Sequence, residues 1–293
     1  MSTRTEAEIA SQPACWQRAS DMVPQARAVL PAAGERVAVI GCGTSWFMAM
    51  SYAALREQSG HGETDAFTAS ELPDQRSYDA VVAITRSGTT TEVLQALSRV
   101  EAPRTVAVTA VAGSPVTAAA GHSVVLDFAD ETSVVQTRFA TSALAVLRAD
   151  LGHDVAALAA DADKALEQPL PEVADISQVT FVGAGWTIGL AHEAALKLRE
   201  AAQFWTESYP AMDFRHGPIA IAEPGRLVWS FGAPPPGLDA DVAATGATFV
   251  TSDLDPMAHL VVAQRLAVAL AESRGLDADR PRHLTRSVVL PGA

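Results

Sequence analysis

Apolar runs of four or five residues recur along the chain, each followed by a turn rich in glycine or small hydroxyl residues. A longer stretch with apolar residues at helical spacing comes next. Continuous apolar runs predict strands buried on both faces, and the stretches after them predict the covering helices. Strands are predicted at 37–40, 80–84, 105–109 and 123–127, then again at 179–182, 227–230 and 247–250. The first thirty residues read as helical, with a stop at Pro13 and a restart from Trp16 to Leu30. Further helices are predicted over 137–151, 190–202 and 257–274. The polar, proline-bearing stretch Asp161 to Pro171 reads as a connector. The predicted organisation is a helical segment (1–30), a first α/β domain (31–160) and a second (171–293), each a parallel sheet flanked by helices.

Two turns carry candidate chemistry. Val37-Ala38-Val39-Ile40 runs into Gly41-Cys42-Gly43-Thr44-Ser45, and Ala80-Val81-Val82-Ala83-Ile84 runs into Thr85-Arg86-Ser87-Gly88-Thr89-Thr90-Thr91. Hydroxyls, a close backbone approach and a helix N-terminus together make a phosphate cradle. Helix capping accounts for one hydroxyl in such a loop, but not for five. Candidate phosphate ligands are Gly43, Thr44, Ser45, Thr85, Arg86, Ser87, Gly88 and Thr90. Arg86 has two readings: a charge-assisted phosphate contact or a surface ion pair. The second half restarts with Val179-Thr180-Phe181-Val182-Gly183-Ala184-Gly185 but has no comparable hydroxyl cluster.

Composition narrows the field. A chain of 293 residues with 48% hydrophobic content is long enough for two domains. Its formal net charge of -13 argues against a nucleic-acid surface. No apolar run reaches membrane-spanning length, and the polar start does not read as a signal peptide. Cys15 and Cys42 fit no zinc or redox spacing, so a cytoplasmic location with reduced thiols is expected. The histidines form no metal-ligand spacing. Trp46 stands where a dinucleotide loop would have its third glycine, which argues against a nicotinamide enzyme. Cys42 reads as a small residue in a tight turn rather than a nucleophile. Glu193, Lys197 and Glu200 share a helix face, by their spacing, and a solvent-exposed stripe of ion pairs would account for the first two.

Taken in order, these stretches resemble the sugar isomerase (SIS) family. Within it they are similar to the isomerase half of glucosamine-6-phosphate synthase, to phosphosugar deaminases and to fructosamine-phosphate deglycases. Gly41 to Ser45 and Thr85 to Thr90 resemble the two phosphosugar loops, with Arg86 where the family has a neutral amide. Glu131-Thr132-Ser133-Val134-Val135-Gln136-Thr137-Arg138 resembles the loop that closes over the sugar, which adds Val134 and Gln136 to the candidates. Glu193 to Glu200 resembles the catalytic helix, Arg215-His216-Gly217-Pro218 the histidine loop, and Gly275 to Val288 the terminal segment.

The resemblance implies two tandem, doubly wound, flavodoxin-like SIS domains. It implies an enzyme that opens a phosphorylated sugar ring and moves a proton between C1 and C2, without a cofactor or metal. Glu200 would be the base and His216 the ring-opening group, with Lys197 holding the carboxylate. The substrate would be an amino-sugar phosphate or fructosamine phosphate. Aldose–ketose isomerisation without amine release and a non-catalytic phosphosugar regulator are the alternatives. A homodimer with shared sites is expected, the histidine loop coming from the neighbour. Arg286 replaces the family's tail lysine; it retains a binding role but cannot act as an amine nucleophile. About thirty residues ahead of the first strand leave no room for a glutaminase domain, so amine removal is expected rather than synthesis from glutamine.

Overall fold

The structure, a computed structural model, describes residues 3–291. Met1, Ser2, Gly292 and Ala293, at the outer ends of the expected 1–30 and 171–293 segments, lie outside the described residues. Helices α1 (Arg4–Ala10), α2 (Gln12–Asp21) and α3 (Val23–Arg27) come first. The chain continues through β1 (Val37–Gly41), α4 (Thr44–Gln58), β2 (Thr64–Thr68), β3 (Ala80–Ile84), α5 (Thr91–Arg99), β4 (Arg104–Thr109), α6 (Pro115–Ala119), β5 (His122–Val125), α7 (Arg138–Asp150) and α8 (Val155–Glu167). It ends through β6 (Gln178–Gly183), α9 (Thr187–Ala202), β7 (Thr206–Pro210), β8 (Arg226–Phe231), α10 (Leu238–Thr245), β9 (Thr248–Val250) and α11 (Pro256–Ser273).

Several boundaries differ from expectation. Pro13 stops nothing: it sits in the first turn of α2, where a missing N–H leaves no bond unmade. The expected connector at 161–171 is helical as far as Glu167. Its polar residues face outward while Leu158, Ala159, Ala162 and Ala165 are buried, so the polarity was a helix face and not a linker. The strand expected at 123–127 ends at Val125, and Asp127 opens a short 3-10 turn. Two strands were not anticipated, β2 and β7. Both are edge strands with partly exposed residues, so neither shows a continuous apolar run.

The chain divides into two units. One contains Ala14–Thr132, Gln136–Ala156 and the chain from Thr285 onward. Its five strands are all parallel, in the order β2-β1-β3-β4-β5. β1 and β3 are fully buried. On one face Ala38, Ile40, Val81, Ala83 and Ala107 pack under Val93 and Leu97 of α5 and Val116 of α6. Pairing of Ile40 with Ala83 sets the ends of β1 and β3 side by side. The strand order reverses there, which is where open parallel sheets form a crevice.

The other unit takes in the chain up to Pro13, Ser133–Val135 and Ala157–Leu284. Its four parallel strands run β7-β6-β8-β9, which repeats the first four positions of the other sheet. Gly41 and Gly183 occupy matching places at the ends of β1 and β6. A Cβ on Gly41 would lie 2.5 Å from the Ser45 carbonyl carbon, and one on Gly183 would lie 2.4 Å from the Thr187 oxygen. Each helix therefore starts against a strand end that only glycine permits. The units cross the expected segment limits. Residues 1–30 divide after Pro13, because Asp279 accepts bonds from the amides of Arg4 and Thr5 at 2.8 and 2.9 Å. The tail from Thr285 groups with the first sheet, not the second. Among the described residues, no helix is long and apolar enough to cross a membrane.

Candidate active site

The turns after β1 and β3 bring Ser45, Thr85, Arg86, Ser87, Thr90, Gln136 and Arg286 around one small cavity. Ser45 lies in the first turn of α4, and Thr90 is the residue before α5. Thr90 makes no side-chain capping bond, so capping does not explain its hydroxyl. Gln136 Oε1 is buried without a hydrogen-bond partner. A buried amide oxygen left unbonded is costly, and a ligand donor relieves that cost. Ser87 is engaged: its Oγ accepts from the Thr89 amide at 3.2 Å and from the Thr89 hydroxyl at 3.0 Å. The cavity holds about 20 Å³, close to the space of one water.

The cavity is tight because the chain's own tail lies across it. The Thr91 amide donates to the Val288 carbonyl at 3.1 Å, and the Leu290 amide donates to Thr91 Oγ1 at 2.9 Å. The Arg286 guanidinium bonds the Glu131 carbonyl and the Asp130 carboxylate. Arg86 Nη2 donates to the Arg286 carbonyl at 2.7 Å. The surface-pair reading of Arg86 is corrected: its side chain is 1% exposed and faces the buried Glu131 carboxylate at 3.8 Å. Glu131 in turn caps α7, accepting from the amides of Thr137 at 2.5 Å and Arg138 at 2.9 Å.

On α9, Lys197 Nζ stands 3.4 Å from Glu193 Oε1 and 2.5 Å from Glu200 Oε2. Glu193 and Lys197 are both about 1% exposed, whereas the Glu200 side chain is 19% exposed. The stripe is therefore not a solvated one. A buried cation holds a carboxylate whose other side opens on a groove of about 540 Å³. Leu196, Phe204, Trp205 and Leu284 form its apolar wall, and Arg199, Arg282 and His283 also line it. Gln203 adopts the left-handed conformation that ends α9 (φ 50°), which carries Phe204 and Trp205 to this place.

His216 is exposed, in a short 3-10 turn, and does not line the groove at Glu200. The histidine there is His283, itself left-handed at φ 64°. Gly43, Thr44 and Gly88 shape the loop backbones without lining the hydroxyl cavity, and Val134 groups with Ser133 and Val135 in the unit that contains Glu8 and Glu200. Sequence reasoning missed Arg199, Phe204, Trp205, Arg282 and His283. Their only signal was a dense run of large and basic residues after α9 and in the tail. Burial, with the Glu92 carboxylate adding to it, pushes the Cys42 thiol up to about 11. Cys42 is thus protonated at neutral pH and unsuited to nucleophilic attack. No group of three or more His, Cys, Asp or Glu side chains is set to hold a metal among the described residues.

Residues 32–149 match the family model described as SIS domain, and the chain carries one such domain there. The match does not extend to the second sheet. The chain is 27% identical over 312 residues to the isomerizing glutamine–fructose-6-phosphate aminotransferase of Pyrobaculum aerophilum, covering 88% of this chain and 52% of that protein. It spans about half the length of the curated relatives it matches. Its fold is that of a glucosamine-6-phosphate deaminase from Thermotoga maritima, with a TM-score of 0.85, 24% identity and coverage of 98% and 100% of the two chains. A putative tagatose-6-phosphate ketose/aldose isomerase from Clostridium novyi gives a TM-score of 0.81 at 18% identity, covering 99% and 94%.

Proposed function

We propose, starting from the SIS domain at residues 32–149 and the likeness to sugar-phosphate proteins, that this chain is an isomerase/deaminase-type enzyme acting on an amino-sugar phosphate or fructosamine phosphate. The observation that carries the reading is the acid–lysine–acid array on α9. Glu200 is held by Lys197 at 2.5 Å and is open to a groove, which is the arrangement a proton-transfer base needs. In this reading Glu200 takes the proton from one of the two carbons C1 and C2 and returns it to the other. For an amino sugar the resulting imine is then hydrolysed by water, releasing ammonia and a ketose phosphate.

The phosphate is assigned to the Ser45, Thr85, Ser87 and Thr90 hydroxyls, with the loop amides of Gly43, Thr44 and Gly88. Gln136 and the guanidiniums of Arg86 and Arg286 contact the same ligand. The small volume there means that Arg286 and the tail must yield space as the sugar phosphate enters. His216, being exposed, is assigned to ring opening in a neighbouring subunit of a homodimer. The matching strand order and the paired glycines Gly41 and Gly183 support reading the second sheet as a diverged copy of the first.

Glu200→Gln keeps the shape and removes the base. In deuterated water, exchange at C1 or C2 of glucosamine 6-phosphate should fall by about 10²- to 10⁴-fold, while phosphosugar binding stays within about threefold. Undiminished exchange in that variant would sink the role. Conversion of an aldose 6-phosphate to its ketose, with no amine released from any amino-sugar phosphate, would favour simple isomerisation, and binding without exchange would favour a regulator.

A further inference from the structure

Glu200 handles one proton at a time. In the reaction proposed above it takes that proton from carbon and returns it to carbon, so it ends the transfer as a bare carboxylate. Loss of the amine then needs a second proton, delivered to nitrogen, because nitrogen leaves carbon readily as a neutral amine and not as an anion. The groove of about 540 Å³ on which Glu200 opens has four ionisable side chains among the described residues: Arg199, Glu200, Arg282 and His283. The guanidiniums of Arg199 and Arg282 do not release their protons. Burial pushes Arg199 down, and the Glu200 and Glu193 carboxylates push it back up, so its charge is offset within α9. Lys197 does not line the groove and is held between two carboxylates.

His283 is the group that remains, and imidazole both gives and takes a proton near neutral pH. It is exposed, and neither ring nitrogen has a hydrogen-bond partner among the described residues. Its backbone is fixed at both ends. The Leu284 amide donates to the Pro281 carbonyl at 3.4 Å, which places Arg282 and His283 at the centre of a tight turn. His283 takes the left-handed position, φ 64°, which glycine fills freely and a histidine fills under strain. Just upstream, the Asp279 carboxylate accepts from the Arg4 and Thr5 amides at 2.8 and 2.9 Å, satisfying the first amides of α1. α1, this turn and Glu200 all belong to one unit, so the anchor on α1 holds His283 at the groove.

We propose that His283 is the general acid for amine departure, working on nitrogen while Glu200 works on carbon. This rests on the function proposed above and adds a catalytic residue to it. His216, which does not line the groove, keeps the earlier ring-opening step. After proton transfer an amino sugar has a C2=N imine, and water adds across that bond to give a carbinolamine. The His283 imidazolium gives its proton to the nitrogen. The C2–N bond breaks with its electron pair leaving on nitrogen, and the C2 hydroxyl proton passes to the imidazole as the ketone forms. One water is consumed, ammonia and a ketose phosphate are released, and the imidazolium is restored.

The two steps are read separately on the purified protein with glucosamine 6-phosphate in deuterated water. Deuterium uptake at C1 or C2 reports proton transfer, and ammonia release reports hydrolysis. His283→Asn suits the turn, since asparagine tolerates the left-handed backbone, and it has no acidic proton to give. Ammonia release should fall by about 10²-fold or more, while deuterium uptake stays within about threefold of the wild type. His283→Gly, which relieves the turn, should show the same split, and added imidazole should raise its ammonia release by about tenfold. Unchanged ammonia release in His283→Asn overturns the proposal, and so does an equal fall in both readouts. Failure of imidazole to restore release counts against it. A wild type that takes up deuterium but releases no ammonia from any amino-sugar phosphate overturns the His283 role and leaves proton transfer by Glu200 standing. A wild type with neither uptake nor release overturns both.

Discussion

Replacing Lys197 by methionine separates a buried array from a surface stripe. Methionine keeps much of the aliphatic length and removes the cation. Glu193 and Lys197 are each about 1% exposed at a separation of 3.4 Å. Removing one partner of such a buried pair costs about 3–5 kcal/mol, because the remaining charge loses its compensation. The Glu200 pair is shorter, at 2.5 Å, but the Glu200 side chain is 19% exposed. Water therefore replaces part of that interaction, and its share is on the order of 1 kcal/mol. The predicted loss is thus dominated by Glu193 and comes to about 3–5 kcal/mol, read from urea unfolding with an unchanged m-value. Lys197→Met combined with Glu193→Leu should recover most of it, since an apolar pair of similar volume tolerates this burial. Proton exchange should stay depressed in the double variant, because Glu200 still lacks the cation that orients it. A loss under about 1 kcal/mol, or a double variant no more stable than the single one, would refute the reasoning.

Two further outcomes are expected. Ser87→Ala with Thr90→Val should weaken binding of a sugar phosphate by about tenfold or more, from about 1 kcal/mol per lost hydrogen bond, and leave the unphosphorylated sugar almost unaffected; calorimetry showing equal losses would count against the cradle. His259 is stacked on Trp229 at 4.8 Å, and burial pushes its imidazole down to about 4 from 6.5. The unfolded chain therefore binds this proton first: its contribution is fully present above pH 6.5 and lost as pH falls towards about 4, by about 3 kcal/mol in all. His259→Phe should flatten stability over that window, and an unchanged slope in denaturant titrations would contradict the assignment.

Much of the architecture was legible because parallel strands buried on both faces leave an uninterrupted apolar signal. Val37 to Ile40, Ala80 to Ile84 and Val179 to Val182 all read as strands, and the hydroxyl turn after Ile84 stands where the sheet order reverses. The edge strands β2 and β7 were not legible, because half-exposed residues carry no such run. Asp161 to Glu167 looked like a linker because the polar face of a helix and a connector share one composition.

By itself, the order of residues determined the two α/β patterns, the placement of hydroxyls after β3 and the face shared by Glu193, Lys197 and Glu200. The strands follow from uninterrupted apolar runs and the helix face from a period of 3.6 residues, and both signals are local. Whether that face met water or protein was decided only by tertiary packing, which buries Lys197 and leaves Glu200 at a groove. Tertiary structure alone also laid Arg286 against Asp130 and Glu131, some 155 residues away in sequence, and set His283, not His216, beside Glu200. Such contacts depend on chain closure over long loops, and no periodicity in the sequence encodes them.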